Sequence, residues 1–216
     1  MRQVSGERGV VHRTKTDVAV RILHPAGGII VKNNGNFKKE LLLFGNLKVM
    51  VACAFLVAIS IVCGKLIAIN VGTVLRFSFE NMPILLSSIA FGPLIGGVTA
   101  VVADIIGCLI VGYEINPLVT LGAFAIGVLS GLIYRLLGKM PSLWKTVLSV
   151  IISHIVGSVI IKTFGLAKFY EIPLGLLFAW RGFNYAVIGI LEIFILYYLL
   201  NSRAVAAQLE RIKESR

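Results

Sequence analysis

An all-α membrane protein of six transmembrane helices is the fold this chain predicts, and three observations predict it. Of the 216 residues, 57% are hydrophobic and only 14% charged, with a mean hydropathy of +0.92, far from the balance of a water-soluble domain. Uncharged runs recur near the roughly 20 residues that a helix needs to cross the hydrocarbon core. The period-two alternation of a transmembrane β-barrel is absent.

Residues 1–45 are polar and basic. His12, His24 and Pro25 interrupt any period, and no long apolar run precedes a small-residue cleavage site, so no secretory signal is expected. This stretch is predicted to be a disordered cytoplasmic extension. The first helix, 46–65, carries 16 uncharged residues between Lys48 and Lys65. From Asn81 to Tyr113 run 33 residues with one charge, Asp104, which is too long for one crossing. Gly92-Pro93 supplies a turn, so two short helices are expected, 76–92 and 93–112. The fourth, 116–137, spans the 20 uncharged residues between Glu114 and Arg135. The fifth, 142–163, spans the 16 between Lys145 and Lys162, and the sixth is 174–201. Residues 46–202 thus form the transmembrane domain and 203–216 a cytoplasmic tail.

Six helices put both termini on one side. That side collects sixteen Lys and Arg and the other five, which makes the termini cytoplasmic by the positive-inside rule. The net charge of +11 is thereby explained by topology, and no nucleic-acid recognition motif accompanies it. Cys53, Cys63 and Cys108 fall inside spans without metal-ligand spacing and read as apolar fillers. Small residues recur four apart, as in Ser88/Gly92, Gly92/Gly96 and Gly127/Gly131, a spacing that lets helix backbones approach closely.

A charge deep in a bilayer costs at least about 2.5–3.5 kcal/mol, so each one retained needs a cavity, a partner or a role. Arg76, one turn before Glu80, reads either as an interfacial anchor or as a ligand contact. Arg181 lies two turns inside the last helix beside Trp180, with Asn184 one turn on. Together these three can bind a carboxylate, stack on a flat ring and pair with a heterocycle edge. Asp104 reads as a structural partner, and His154 as a hydrogen-bonded core residue. Glu192 is either a proton site or the buried partner of His154. The nucleotide-binding G-x-x-x-x-G-K-[ST] run, HExxH and GxSxG are all missing, as is a convincing inverted repeat. Energy for transport would therefore come from partners. No metal or cofactor is expected.

The stretch LRFSFENMPILLSSIAFGPLIGGVTAVVADIIGCLI (75–110), followed by INPLVTLGAFAIGVLSGLIYR (115–135), resembles the substrate-binding S components of energy-coupling factor (ECF) vitamin importers. Gly92, Pro93, Gly96, Gly97 and Asp104 carry the likeness to the superfamily. Arg76, Ser78, Phe79, Glu80 and Pro83 resemble the folate-specific branch. The resemblance covers residues 46–202 and implies an S-component bundle in a bacterial plasma membrane, with an outward-opening vitamin pocket. It also implies a transmembrane coupling subunit and two cytoplasmic ATPases, whose hydrolysis topples the S component to release its cargo. Ala54 and Ala58 fit the family's A-x-x-x-A contact for the coupling subunit. Folate is an anion with two carboxylates, a flat pterin and a benzoyl ring. The expected lining is accordingly Arg76, Phe79, Tyr113, Asn116, Trp180, Arg181 and Asn184. Riboflavin, thiamine and pantothenate are the alternatives within the superfamily. A small membrane enzyme acting on lipid headgroups and a packing scaffold are those outside it.

Overall fold

The computed structural model describes residues 37–71 and 75–214. Apart from one short hairpin, the regular structure of these residues is helical. Among the described residues, five helical stretches are long and apolar enough to cross a membrane: Leu47–Leu66, Pro93–Val111, Pro117–Leu136, Ser142–Tyr170 and Leu174–Asn201. Only 28% to 44% of their most apolar windows is buried within the chain. Most of that apolar surface faces outward, an arrangement that lipid accepts and water does not.

The helices are α1 (Phe37–Phe44), α2 (Leu47–Ile61), α3 (Asn81–Phe91), α4 (Pro93–Val111), α5 (Pro117–Leu136), α6 (Ser142–Ser153), α7 (Lys162–Tyr170), α8 (Leu174–Asn201) and α9 (Arg203–Glu214). A wide π-type turn, Val62–Leu66, extends α2. A longer one, His154–Ile161, joins α6 to α7 in a single rod. Strands β1 (Ile69–Val71) and β2 (Leu75–Phe77) pair antiparallel, with Asn70 opposite Arg76.

Punctuation explains most boundaries. Asn46 and Asn116 cap α2 and α5 through side-chain bonds to the Lys48 and Leu118 amides. Proline opens α4 and α5. Gly92, at φ 122°, makes the break between α3 and α4 in a backbone conformation open to glycine.

Three expectations are corrected. A helix over 76–92 begins only at Asn81, because Leu75–Phe77, with its β-favouring aromatic end, forms strand β2 paired with β1 and so places Arg76 in a strand. The helix expected to end at 163 continues to Tyr170, because the side chain of Lys162 points into a cavity and does not mark a membrane exit. Within the expected disordered extension, Phe37–Phe44 is helical and Glu40 is buried; residues 1–36 lie outside the described residues. The tail expected over 203–216 is α9 as far as Glu214.

The four-residue spacing of small residues works within the chain. A methyl group on Gly127 would strike the Gly96 backbone, and one on Gly96 would strike Ser88. A methyl group on Gly131 would meet Ser88 as well, and the Ser88 hydroxyl donates to the Gly127 carbonyl. Helices α3, α4 and α5 are thus in backbone contact. At one end of the bundle Val49, Cys53, Phe91 and Ile95 form a core covered by Leu43, Phe44, Leu209 and Ile212. Asn46 Nδ2 donates to the Ile212 carbonyl at 3.2 Å, so α1 and α9 close the same end.

Candidate functional site

At the opposite end, α3 is the element that makes room. Its 11 residues extend about 16 Å, roughly half of the hydrocarbon thickness. Ser60 donates to the Glu80 carbonyl at 2.6 Å and fixes where α3 begins. Ser60 lies six residues inside the end of the α2 span, about 9 Å below it. The column beyond the start of α3 is therefore open, and a cavity of about 360 Å³ occupies this end of the bundle. That is within the range of small-molecule sites.

Polar groups are layered along its depth. Toward the floor, Lys162 Nζ lies 3.8 Å from Glu80 Oε1, and Thr120 donates to Asp104 Oδ2 at 2.7 Å. A side chamber below is lined by Ser60, Lys65, Glu80, Asn81, Asp104 and Lys162 among others. Asn81 is buried there, and neither its amide nitrogen nor its amide oxygen has a hydrogen-bond partner among the described residues. The N-terminus of α3 opens onto the same place, adding the positive end of a helix dipole. On one wall, Arg181 donates through Nε and Nη2 to the Ser158 carbonyl at 3.1 and 3.0 Å. Its guanidinium lies over the Tyr185 ring, 5.3 Å from the centroid. Lys65, which reaches both the cavity and the side chamber, has its Nζ 5.7 Å from the Tyr113 ring centroid. Asn116 Nδ2 donates to the Gly165 carbonyl at 2.9 Å, pinning the start of α5 to α7.

Of the seven side chains expected at the site, Tyr113, Asn116, Trp180, Arg181 and Asn184 line this cavity. Phe79 is half-buried beside it and does not line it. The Arg76 side chain lies outside the described residues. Asp104, read as structural, is both held by Thr120 and open to the cavity. His154 and Glu192 are paired behind the wall, Nε2 to Oε2 at 2.5 Å. Ala54 and Ala58 are exposed on the outer face of α2, beside Met50, Val51 and Phe55.

The sequence did not single out Lys65, Lys162 or Tyr185. A lysine near a helix end reads as an anchor, and one tyrosine among apolar residues carries no pattern. Lys162 had one available signal, since uncharged residues 163–167 continue past it.

Residues 48–202 match the model of a family described as the ECF transporter, substrate-specific component. The chain belongs to this family. Among solved structures it is similar to FolT in the crystal structure with folic acid, at 26% identity and a TM-score of 0.60, covering 71% of this chain and 93% of that one. No curated protein matches. The family match begins after α1 and ends before α9. This S component therefore carries its closing pair of helices outside the matched region.

Proposed function

We propose that this S component captures folate at the outer face of a bacterial plasma membrane and delivers it through an ECF-type importer. The observation that carries the reading is the cavity itself. Arg181, Lys65 and Lys162 offer cations for the two carboxylates, while Trp180 and Tyr113 offer faces for flat rings. FolT, with folic acid bound, lends independent weight. In this reading α3 counts as a sixth, half-length crossing, both termini lie in the cytoplasm, and residues 46–202 act as the binding domain. The chain itself performs no ATP hydrolysis, which belongs to two cytoplasmic ATPases acting through a transmembrane coupling subunit. That subunit docks on the exposed Ala54/Ala58 face, where small side chains let a partner helix approach.

The three carboxylates Glu80, Asp104 and Glu114 also line the cavity, and they favour a second reading in which the vitamin is cationic thiamine. Titration of the purified chain separates the two. Trp180 lines the cavity and Trp144 is exposed on α6. Saturable quenching by folate, lost in Trp180→Phe and weakened at least tenfold in Arg181→Ala, supports the folate reading. A response to thiamine or riboflavin with none to folate keeps the importer and replaces the vitamin.

A further inference from the structure

Behind Arg181 lies a couple of buried polar groups that do not line the cavity. His154 Nε2 is 2.5 Å from Glu192 Oε2, with side-chain exposures of 4% and 0%. A neutral imidazole satisfies both of its contacts, Nε2–H donating to Glu192 and Nδ1 accepting from the Ser158 hydroxyl at 3.2 Å. Two links then run from His154 to Arg181. Ser158 contacts the imidazole through its hydroxyl and accepts from the guanidinium through its carbonyl. Tyr185 stacks on the imidazole at 5.0 Å between centroids, and its hydroxyl accepts from Arg181 Nη2 at 3.4 Å.

We propose that the His154–Glu192 couple is a positioning device, which holds Ser158 and Tyr185 so that Arg181 is fixed in its binding direction. The inference rests on the cavity being the vitamin site. A buried polar pair is often replaceable by apolar residues of similar volume at little or no loss of stability, and Glu192 Oε1 has no hydrogen-bond partner among the described residues, so stability is a weak reason for its presence. An arginine side chain, by contrast, carries several freely rotating bonds, and ordering it in advance raises ligand affinity by removing that entropy cost from binding. The wide helical segment His154–Ile161 contributes too. Such segments disturb regular carbonyl pairing, and the Ser158 carbonyl inside this one receives both guanidinium donors.

The test compares Glu192→Gln, the apolar pair His154→Phe/Glu192→Leu, and Arg181→Ala. The expected result is that the apolar pair melts near the wild-type temperature without ligand yet binds at least tenfold more weakly. Glu192→Gln falls between it and the wild type. On an Arg181→Ala background Glu192→Gln should have no further effect, because the couple acts through that arginine. Wild-type affinity in the apolar pair, or an unchanged penalty on the Arg181→Ala background, overturns the proposal. If the apolar pair does not fold, the Glu192→Gln cycle alone decides. A readout without ligand is the exchange rate of the Arg181 Nε–H in arginine-labelled protein, assigned by its loss in Arg181→Lys. Faster exchange in Glu192→Gln supports positioning, and an unchanged rate overturns it. Should the wild type fail to bind folate, the vitamin assignment falls while this exchange measurement still decides the role of the couple.

Discussion

The Lys162 ammonium lies 3.8 Å from a carboxylate oxygen of Glu80, tying the α6–α7 rod to the start of α3 across the cavity floor. Among the described residues the cavity holds three cations, Lys65, Lys162 and Arg181, against three carboxylates, Glu80, Asp104 and Glu114. Its charge is balanced, so one substitution sets which sign of ligand it favours. At about 4 Å and an effective dielectric near 20, one charge pair is worth about 4 kcal/mol before screening, and Glu80 is 27% exposed and so partly screened.

Removing the lysine should therefore act on the ligand and not only on the fold. Lys162→Met is expected to weaken folate binding about tenfold or more, equivalent to at least about 1.4 kcal/mol. Glu80→Gln is expected to leave it equal or tighter. The opposite signs for the two substitutions are the check, read by titration of both variants in parallel. Loss of binding in both would mean that the pair holds α3 in place and does not set ligand charge.

The contact between α4 and α5 predicts a stability effect. Gly127→Val places side-chain atoms against the Gly96 backbone, where no flexible neighbour can yield. Overpacking of this kind typically costs about 1–3 kcal/mol. Gly182 on α8 has open space at its Cβ position. Gly182→Ala should stabilise slightly, by up to about 1 kcal/mol from helix propensity. Thermal unfolding in one detergent should move the two in opposite directions.

How far the sequence revealed these features follows from how local each signal is. Helix α8 was legible in full because Pro173 and Ser202 punctuate a long apolar run. Helix α3 was not. Its late start depends on the hairpin and on the Ser60 bond to Glu80, which joins residues twenty apart. Arg181, Trp180 and Asn184 stood out because a charge inside an apolar helix needs a cavity or a partner. Lys162 was read as a membrane boundary, since an interior lysine and a boundary lysine look alike until the helix is seen to continue. The His154 contact with Glu192 was among the alternatives open from sequence, but the Ser158 and Tyr185 links that give it a direction arise only in three dimensions.

At the closed end, Glu40 is paired with Arg135 and accepts from the Leu94 amide at 3.1 Å, so one carboxylate serves both an ion pair and the start of α4. Glu40→Ala leaves a mostly buried guanidinium without its partner. Breaking a buried pair costs roughly 3–5 kcal/mol, and the lower part of that range is expected here because Arg135 retains 15% exposure. The double variant Glu40→Met/Arg135→Met should regain most of the lost melting temperature. If Glu40→Ala melts like the wild type, the Glu40 carboxylate contributes nothing to stability, and α1 holds its place through Leu43 and Phe44.

The exposed face of α2 separates binding from transport. Ala54 and Ala58 lie one turn apart on the outside of the bundle, away from the cavity lining. Ala54→Trp/Ala58→Trp adds bulk only where a partner helix would approach, so the affinity for folate in the purified chain should stay within about twofold of wild type. Uptake by cells that co-express the coupling subunit and ATPases should fall at least tenfold, as should recovery of the assembled complex. The pairing of these results matters more than either one. Normal binding with normal uptake would move the coupling face elsewhere on the bundle. Weakened binding would mean that α2 transmits strain to the Ser60 bond that anchors the start of α3.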